Sequence, residues 1–599
     1  MLNRRKLLAC TGATLALAGG ASAQGGAEAQ LNTTLEALFN QALADNPELT
    51  TALGLDTGAR AGAKSQLRHA SLTERDRAGR QIADQLARMR AIDRKALTGM
   101  AAVNYDSVIF DLEATDAANR RFAYGREGAG SPYVLSQIDG AWQEVPDFLD
   151  SQHTIETRAD CEAYVARLGE FARLMDEEVE RVRRDAGLGV IPPDFAIAGA
   201  LGGMKVLRAA PDQSSLVSSL AVRARDKGIA GDWEGRASAV HTAQVLPALE
   251  RQMALLDGLR ARATHEAGVW RLPDGEAYYA QALRDRTTTA MTPAEVHRLG
   301  LDVTRELSAR AEVLFRQIGM SQGTVGDRYA ALYKVEQYIY PNTDAGKDKE
   351  VADLNLLVQR MQKRLPDYFN TLPRTPLEIR RVPPATEAGS ATHYSAGSLD
   401  GARPGIYWLN MRDTAEAPYW DMPTTTFHEG VPGHHLQITL QQQADLPMIR
   451  KASGFGAYVE GWALYAEQLA QEMGFYQGDP AGELGYIHDA LLRSGRLVTD
   501  TGLHALRWSR EKAVEVLSGI EGDPPAYAGQ EIERYAVDPA QACTYMVGKT
   551  AILRLRRKAR AALGARFDIR RFHDAVLLAG PMPLTVLERY VDEWMATQA

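Results

Sequence analysis

Cysteine is scarce in this chain of 599 residues. There are three, of which Cys10 lies in the N-terminal leader and only Cys161 and Cys543 lie beyond it. Two thiols so far apart make no disulfide framework and exclude a cysteine-based zinc site. Any metal must be held by histidines and carboxylates. No stretch beyond the leader approaches the roughly 18 apolar residues of a membrane span, so the mature chain is expected to be soluble. Basic residues are not in excess. Lys and Arg number 68 against 76 Asp and Glu, a formal net charge of −8, which argues against a nucleic-acid partner. Strand-like segments are few, and there is no internal repeat and no low-complexity tract.

The leader has the three parts of a signal peptide. Arg4-Arg5-Lys6 precede a modestly apolar run, Leu7 to Gly20, and Ala21-Ser22-Ala23 offers a small-residue cleavage site before Gln24. Residues 1–23 therefore read as a signal peptide and the protein as exported, periplasmic or secreted. Cleavage leaves 65 basic against 76 acidic residues, net −11. The paired arginines and weak hydrophobicity fit the twin-arginine route, which exports folded proteins; an ordinary secretory signal fits the same residues. Leu7-Leu8-Ala9-Cys10 has the look of a lipoprotein box, but it precedes the apolar run instead of ending it.

Helical signals dominate the rest of the chain. Ser71-Leu72-Thr73-Glu74 is a capping box ahead of a periodic stretch to about Arg90, and Thr292-Pro293-Ala294-Glu295 opens another helix toward Gln317. Further helical patterns lie near 160–184, 350–365, 455–473, 483–507, 510–518 and 540–563. Leu377 to Val382 alternates at period two, and Ile406 to Met411 is rich in aromatic and branched residues. These predict a small sheet, with residues 405–411 as an edge strand able to pair with an extended substrate. The expected fold is mostly α, a large two-lobed helical body with a small β-sheet beside a metal-binding helix. A helical lobe over 24–286 precedes a catalytic lobe over 287–599.

Three of the 12 histidines fall within eight residues, in His428-Glu429-Gly430-Val431-Pro432-Gly433-His434-His435. A His-Glu pair with a second His downstream is the zinc hydrolase arrangement. Two imidazoles and a third ligand leave one position for water, whose proton the Glu beside the first His can take. The spacing departs from His-Glu-x-x-His. On a regular helix residue i+6 is rotated by roughly 240°, and i+7 lies roughly 10 Å along the axis. Pro432 cannot donate to the His428 carbonyl and must kink or bulge the helix. A two-residue bulge makes His434 equivalent to i+4, while His435 remains open on spacing. Incidental surface histidines are the alternative reading, and the Pro-Gly break argues against it. The third ligand is expected on a later helix, where Glu460 and Glu467 share one face.

The Glu460 segment resembles the Glu-Gly-Phe-Ala-x-Tyr-x-Glu segment of thermolysin-like zinc aminopeptidases, in which the Glu before Gly is the ligand. That implies Glu460 as ligand and Glu467 behind it. The run Phe427 to Gln437, His-Glu-x-x-Pro-Gly-His-His-Leu-Gln, resembles the hallmark of a bacterial family of unknown function placed in the thermolysin-like (gluzincin) metallopeptidase clan. Matching segments are 400–405, the Glu460 region, 496–504, and Glu533 to Gly548. Residue 540 is Ala where that family usually has Gly. The resemblance favours His434 over His435 and implies a mostly helical peptidase fold.

Two more segments carry readable chemistry. Arg496, Asp500 and His504 recur at i, i+4 and i+8. An Arg496–Asp500 pair reads as structural, and His504 as a group that could orient a ligand or bind the tetrahedral intermediate. Gln541, Tyr545 and Lys549 repeat the spacing, and the Tyr545 hydroxyl is either an oxyanion donor or core packing. The reading is a zinc-dependent peptidase of short peptides, with Zn²⁺ on His428, His434 and Glu460, Glu429 as general base, and Tyr545 and His504 assisting. A zinc hydrolase of non-peptide amides or esters, and a periplasmic zinc- or peptide-binding protein without turnover, are the alternatives. Glu429 argues against the last, because storage needs no base. No nucleic acid and no membrane are expected as partners after signal cleavage.

Overall fold

The computed structural model describes residues 4–382, 387, 391–399, 401 and 403–598, with side chains from residue 25 onward. The signal-peptide reading of residues 1–23 therefore lies outside the described side chains; the backbone from Arg4 is helical, in α1 (Arg4–Asp45). The body is mostly α. α2 (Leu72–Arg90) starts where the capping signal lies, but only half of the box forms. Ser71 accepts from Glu74 N at 3.1 Å, while the Glu74 carboxylate takes Arg77 instead, a charge-assisted bond stronger than a neutral cap. At α4 (Pro293–Gln317) both halves close: Thr292 accepts from Glu295 N, and the Glu295 carboxylate accepts from Thr292 N at 2.8 Å.

Between them α3 (Arg158–Gly187) organises a hydrophobic core drawn wholly from residues 67–259, including Tyr164, Phe171, Leu220 and Leu249. A larger core gathers most of the C-terminal half and also takes in Phe122, Tyr124, Tyr278 and Tyr279. It thus draws on both sides of residue 286, which lies within the helix Gly275–Thr287.

Among the described residues the sheet has three strands, β1 (Leu377–Arg381), β2 (His393–Ser395) and β3 (Gly405–Leu409), in the order β1-β3-β2. β3 runs parallel to β1 and antiparallel to β2. This corrects the expected edge strand. β3 is hydrogen-bonded on both sides and cannot add a substrate strand, which agrees with its almost complete burial and with the continuous apolar run of a central strand. The edges are β1 and β2. Pro383 and Pro384, which follow Val382 in the sequence, lie outside the described residues.

Six helices then build the site: α5 (Met422–Glu429), α6 (His434–Gln443), α7 (Gly456–Glu472), α8 (Pro480–His504), α9 (Pro525–Val537) and α10 (Thr544–Leu563). α7 and α10 meet at glycine. A Cβ on Gly461 would stand 2.5 Å from the Gly548 backbone, and one on Gly548 would strike the Ala457 carbonyl. Only glycine at both positions lets the helices approach closely enough to bring Tyr545 beside the Glu460 turn.

Candidate metal centre

The motif helix does not bulge; it stops and restarts. α5 ends at Glu429, a turn of four residues follows with a cis Val431–Pro432 bond, and α6 begins at His434. Pro432 has no N–H to continue the ladder. Gly433 is required because a Cβ there would collide with the carbonyls of Phe427 and His428. Trp462 on α7 donates its indole N–H to Pro432 O at 3.0 Å, and His435 N donates to Gly430 O at 3.1 Å. The break is therefore pinned from both sides, and His434 turns back toward His428. Their rings stand 4.8 Å apart and perpendicular.

Glu460 completes the triangle. Its Oε2 lies 3.6 Å from His428 Nε2 and 3.4 Å from His434 Nε2, and it is buried without a hydrogen-bond donor. Ligand atoms about 2.0–2.1 Å from a tetrahedral zinc are separated from one another by roughly 3.3 Å. The three donors thus fit a zinc ion, and the unsatisfied Glu460 oxygen is the group a cation would satisfy. Burial raises the Glu460 carboxyl's pKa, but the adjoining His434 and His428 outweigh it and hold the group well below the usual carboxylate range.

A second trio, His428, Glu467 and Asp489, also lies close together. Within it, His428 and Glu467 are hydrogen-bonded to each other, while Glu467 Oε2 and Asp489 Oδ2 are buried without a partner. Glu467 Oε1 is 2.7 Å from His428 Nδ1, a hydrogen-bond distance that leaves no room for an ion. Burial, with Asp489 nearby, favours the neutral form of Glu467 while the His428 imidazole it contacts favours the ionised one, and Asp489 is paired with Arg493. A carboxylate behind a ligating histidine fixes its tautomer and orientation; here it directs Nε2 toward Glu460.

His435 belongs elsewhere. Its Nε2 donates to Thr375 O at 3.1 Å and its Nδ1 accepts from Tyr394 OH at 3.1 Å. Burial pushes its pKa down to about 4, so the ring is neutral and both nitrogens are engaged. Of the two histidines left open by spacing, the one facing Glu460 is His434.

Glu429 is half-buried at the end of α5 and makes no hydrogen bond or ion pair among the described residues. Tyr545 stacks on His428, with ring centroids 6.3 Å apart and planes at 26°. It is half-buried, and its hydroxyl has no protein partner among the described residues.

His504 is not part of this centre, which corrects the expected role. It lies two turns beyond Arg496 on α8, about 12 Å along the axis. Its Nδ1 accepts from Val269 N at 3.1 Å and its Nε2 donates to Tyr535 O at 3.0 Å. Both nitrogens tie backbone segments together and neither is free for substrate. The expected Arg496–Asp500 pair does not form either. Arg496 bonds Glu531 at 2.8 Å, while Asp500 accepts from Tyr279 OH at 2.6 Å and Ala540 N at 3.0 Å. Ala540 has φ +67°, a left-handed conformation that suits glycine.

Sequence reading missed Asp489, Arg493 and Glu531. A signal was present: α8 is buried nearly all round, yet Asp489, Arg493, Arg496, Asp500 and His504 recur at spacings of three and four along one stripe. Polar side chains on an otherwise enveloped helix need partners, and the partners mark the site. Two surface cavities of about 440 and 470 Å³ contain none of the metal-facing residues.

Among solved structures, a Colwellia psychrerythraea protein with a provisional lipoprotein designation is 29% identical. The match covers 96% of this chain and 99% of that one, with a TM-score of 0.90. A Shewanella oneidensis protein, provisionally a lipoprotein and of unknown function, shares the fold at 16% identity, with 94% and 99% covered and a TM-score of 0.69. No curated protein matches the chain. A family model spans residues 47–591, and the chain belongs to that family, described as bacterial protein of unknown function (DUF885).

Proposed function

We propose that the protein is an exported zinc-dependent peptidase of the thermolysin-like (gluzincin) type, acting on short peptides. The observation that carries the reading is the convergence of His428 Nε2, His434 Nε2 and Glu460 Oε2 on one point, with Glu429 next to His428 in sequence, interacting with it electrostatically and making no hydrogen bond among the described residues. Bound there, zinc supplies Lewis acidity, acidifying water and polarising a carbonyl. The protein's own groups do the rest. Glu429 accepts the proton of the attacking water and returns it to the leaving amine. The Tyr545 hydroxyl donates a hydrogen bond to the oxygen that gains charge. Glu467 holds the His428 ring in place. Export is supported by the N-terminal sequence and by the lipoprotein designation of the two structural relatives; no described helix is long and apolar enough to cross a membrane.

The test is incubation of the zinc-loaded protein with a mixed peptide library, with and without chelator. Cleavage lost to chelator and restored by zinc is expected. Turnover confined to esters or non-peptide amides would replace the substrate class. Zinc binding without turnover of any of these would leave a binding protein.

A further inference from the structure

The helices around Tyr545 bring three arginines together. Arg496 Cζ lies 4.8 Å and Arg493 Cζ 5.7 Å from the centroid of the Tyr545 ring. Arg534, from α9, joins Arg496 through Glu531, with Nη2 3.0 Å from the carboxylate oxygen that Arg496 also holds. The groups lie deep inside the molecule. Even so, the side chains of Arg534 and Glu460 keep 23% and 22% of their exposure, and Glu531 keeps 15%. Water therefore reaches Arg534, Glu531 and part of Glu460.

The arginines are not fully spent on each other's partners. Arg496 uses Nε and Nη2 on Glu531 and Tyr535, and Arg493 uses Nη1 on Asp489. Arg496 Nη1 and Arg493 Nη2 have no partner among the described residues and keep some exposure to solvent, and Arg493 Nε is buried without a partner. The carboxylates paired with these arginines are Asp489 and Glu531, and Glu467 also lies close to Arg493. Glu521, whose charge also acts with Arg496, is buried without a hydrogen-bond partner.

We propose that Arg493 and Arg496, backed by Arg534, form a subsite for a carboxylate of the substrate. A guanidinium with free N–H groups in a largely buried setting is the donor best matched to a carboxylate. The site stands one tyrosine ring away from the metal ligands: the Arg496–Tyr545 and Tyr545–His428 separations together give at most roughly 11 Å, or two to three extended residues. The proposal rests on the peptidase reading for the identity of the ligand. It makes the protein selective for peptides ending, or carrying an acidic side chain, a few residues beyond the scissile bond.

The test uses binding, so that it does not depend on turnover. A mixed pentapeptide library is prepared with free C-terminal carboxylates, as C-terminal amides, and as amides carrying Asp near the end. The three compete for zinc-loaded Glu429→Gln protein, and retained peptides are counted by mass spectrometry. The neutral amides are expected to bind at least about tenfold more weakly than the free acids. Recovery by the Asp-bearing amides assigns a side-chain carboxylate; no recovery assigns the C-terminus. Arg496→Met in the same background should abolish the discrimination, and Arg493→Met, which leaves Glu531 paired, is the second variant. Equal retention of acids and neutral amides, retention of none, or full discrimination in both folded arginine variants overturns the subsite. Hydrolysis by wild type is scored separately. Discrimination without hydrolysis sinks the peptidase reading alone, and hydrolysis without discrimination sinks the subsite alone.

Discussion

Glu467 Oε1 lies 2.7 Å from His428 Nδ1, wholly inside the protein, and this one bond decides which nitrogen of His428 faces Glu460 and His434. A carboxylate in that position costs a metal site about 10- to 100-fold in affinity when removed. Glu467→Ala is expected to weaken zinc binding by that factor, read by competition with a chromophoric chelator. His428→Ala, His434→Ala and Glu460→Ala are expected to lose most of a stoichiometry of about one zinc per chain. His435→Ala should keep its zinc. An empty His435→Ala site, or a Glu460→Ala site that stays full, would reassign the ligands.

Glu429→Gln keeps the shape of the side chain but cannot accept a proton. Loss of a general base costs roughly 10² to 10⁴ in rate. The variant is expected to fold, hold zinc and bind peptide, yet to hydrolyse it at least about a hundredfold more slowly. Near-normal single-turnover rates from a zinc-loaded variant would remove the mechanism.

Tyr545→Phe retains the ring that stacks on His428 and removes only the hydroxyl. Loss of one oxyanion donor typically costs about 10² to 10³ in kcat. A fall of that size with KM little changed is expected. A variant within about twofold of wild type would leave Tyr545 as packing alone.

Asp500 and His504 hold backbone segments together, so their variants should affect stability and not metal content. Asp500→Ala leaves the buried Tyr279 hydroxyl and Ala540 N–H without their acceptor, at a cost of roughly 2–4 kcal/mol. Chemical denaturation measures that loss. Zinc stoichiometry unchanged in the folded fraction is the companion result, and a zinc-free but fully stable His504→Ala would contradict its placement.

Glu350 gives a pH signature away from the metal. It is buried with both oxygens unpartnered, and burial, aided by Asp353, pushes its pKa from 4.5 up to about 8. Between those values the folded state holds a proton that the unfolded state has released, so stability falls as pH rises. The contribution is fully present below about pH 4.5 and is lost as pH rises through about 8. Glu350→Gln stays neutral throughout. Its melting temperature relative to wild type should rise between pH 5 and pH 9, and a flat difference would show that Glu350 ionises normally.

The sequence by itself determined the helical architecture and the chemical character of the candidate centre. Capping residues at Thr292 and period-3.6 patterns are local, and they place α4 almost to the residue and α8 within three residues at each end. The scarcity of cysteine and the His428–His435 cluster restricted the donors to imidazole and carboxylate. What depended on non-local packing was decided by the tertiary structure. Spacing left His434 and His435 open, because a Pro-Gly break has no fixed period. The choice was made by Trp462 holding the Pro432 carbonyl and by Thr375 and Tyr394 claiming His435. β3 became the central strand because its two partners come from either side in space, which composition does not encode. Arg496 turned to Glu531 and not to Asp500, although both readings satisfy helical periodicity. A helix face names the residues that look one way; only the helix packed against it, here α9 with Glu531, decides what they meet.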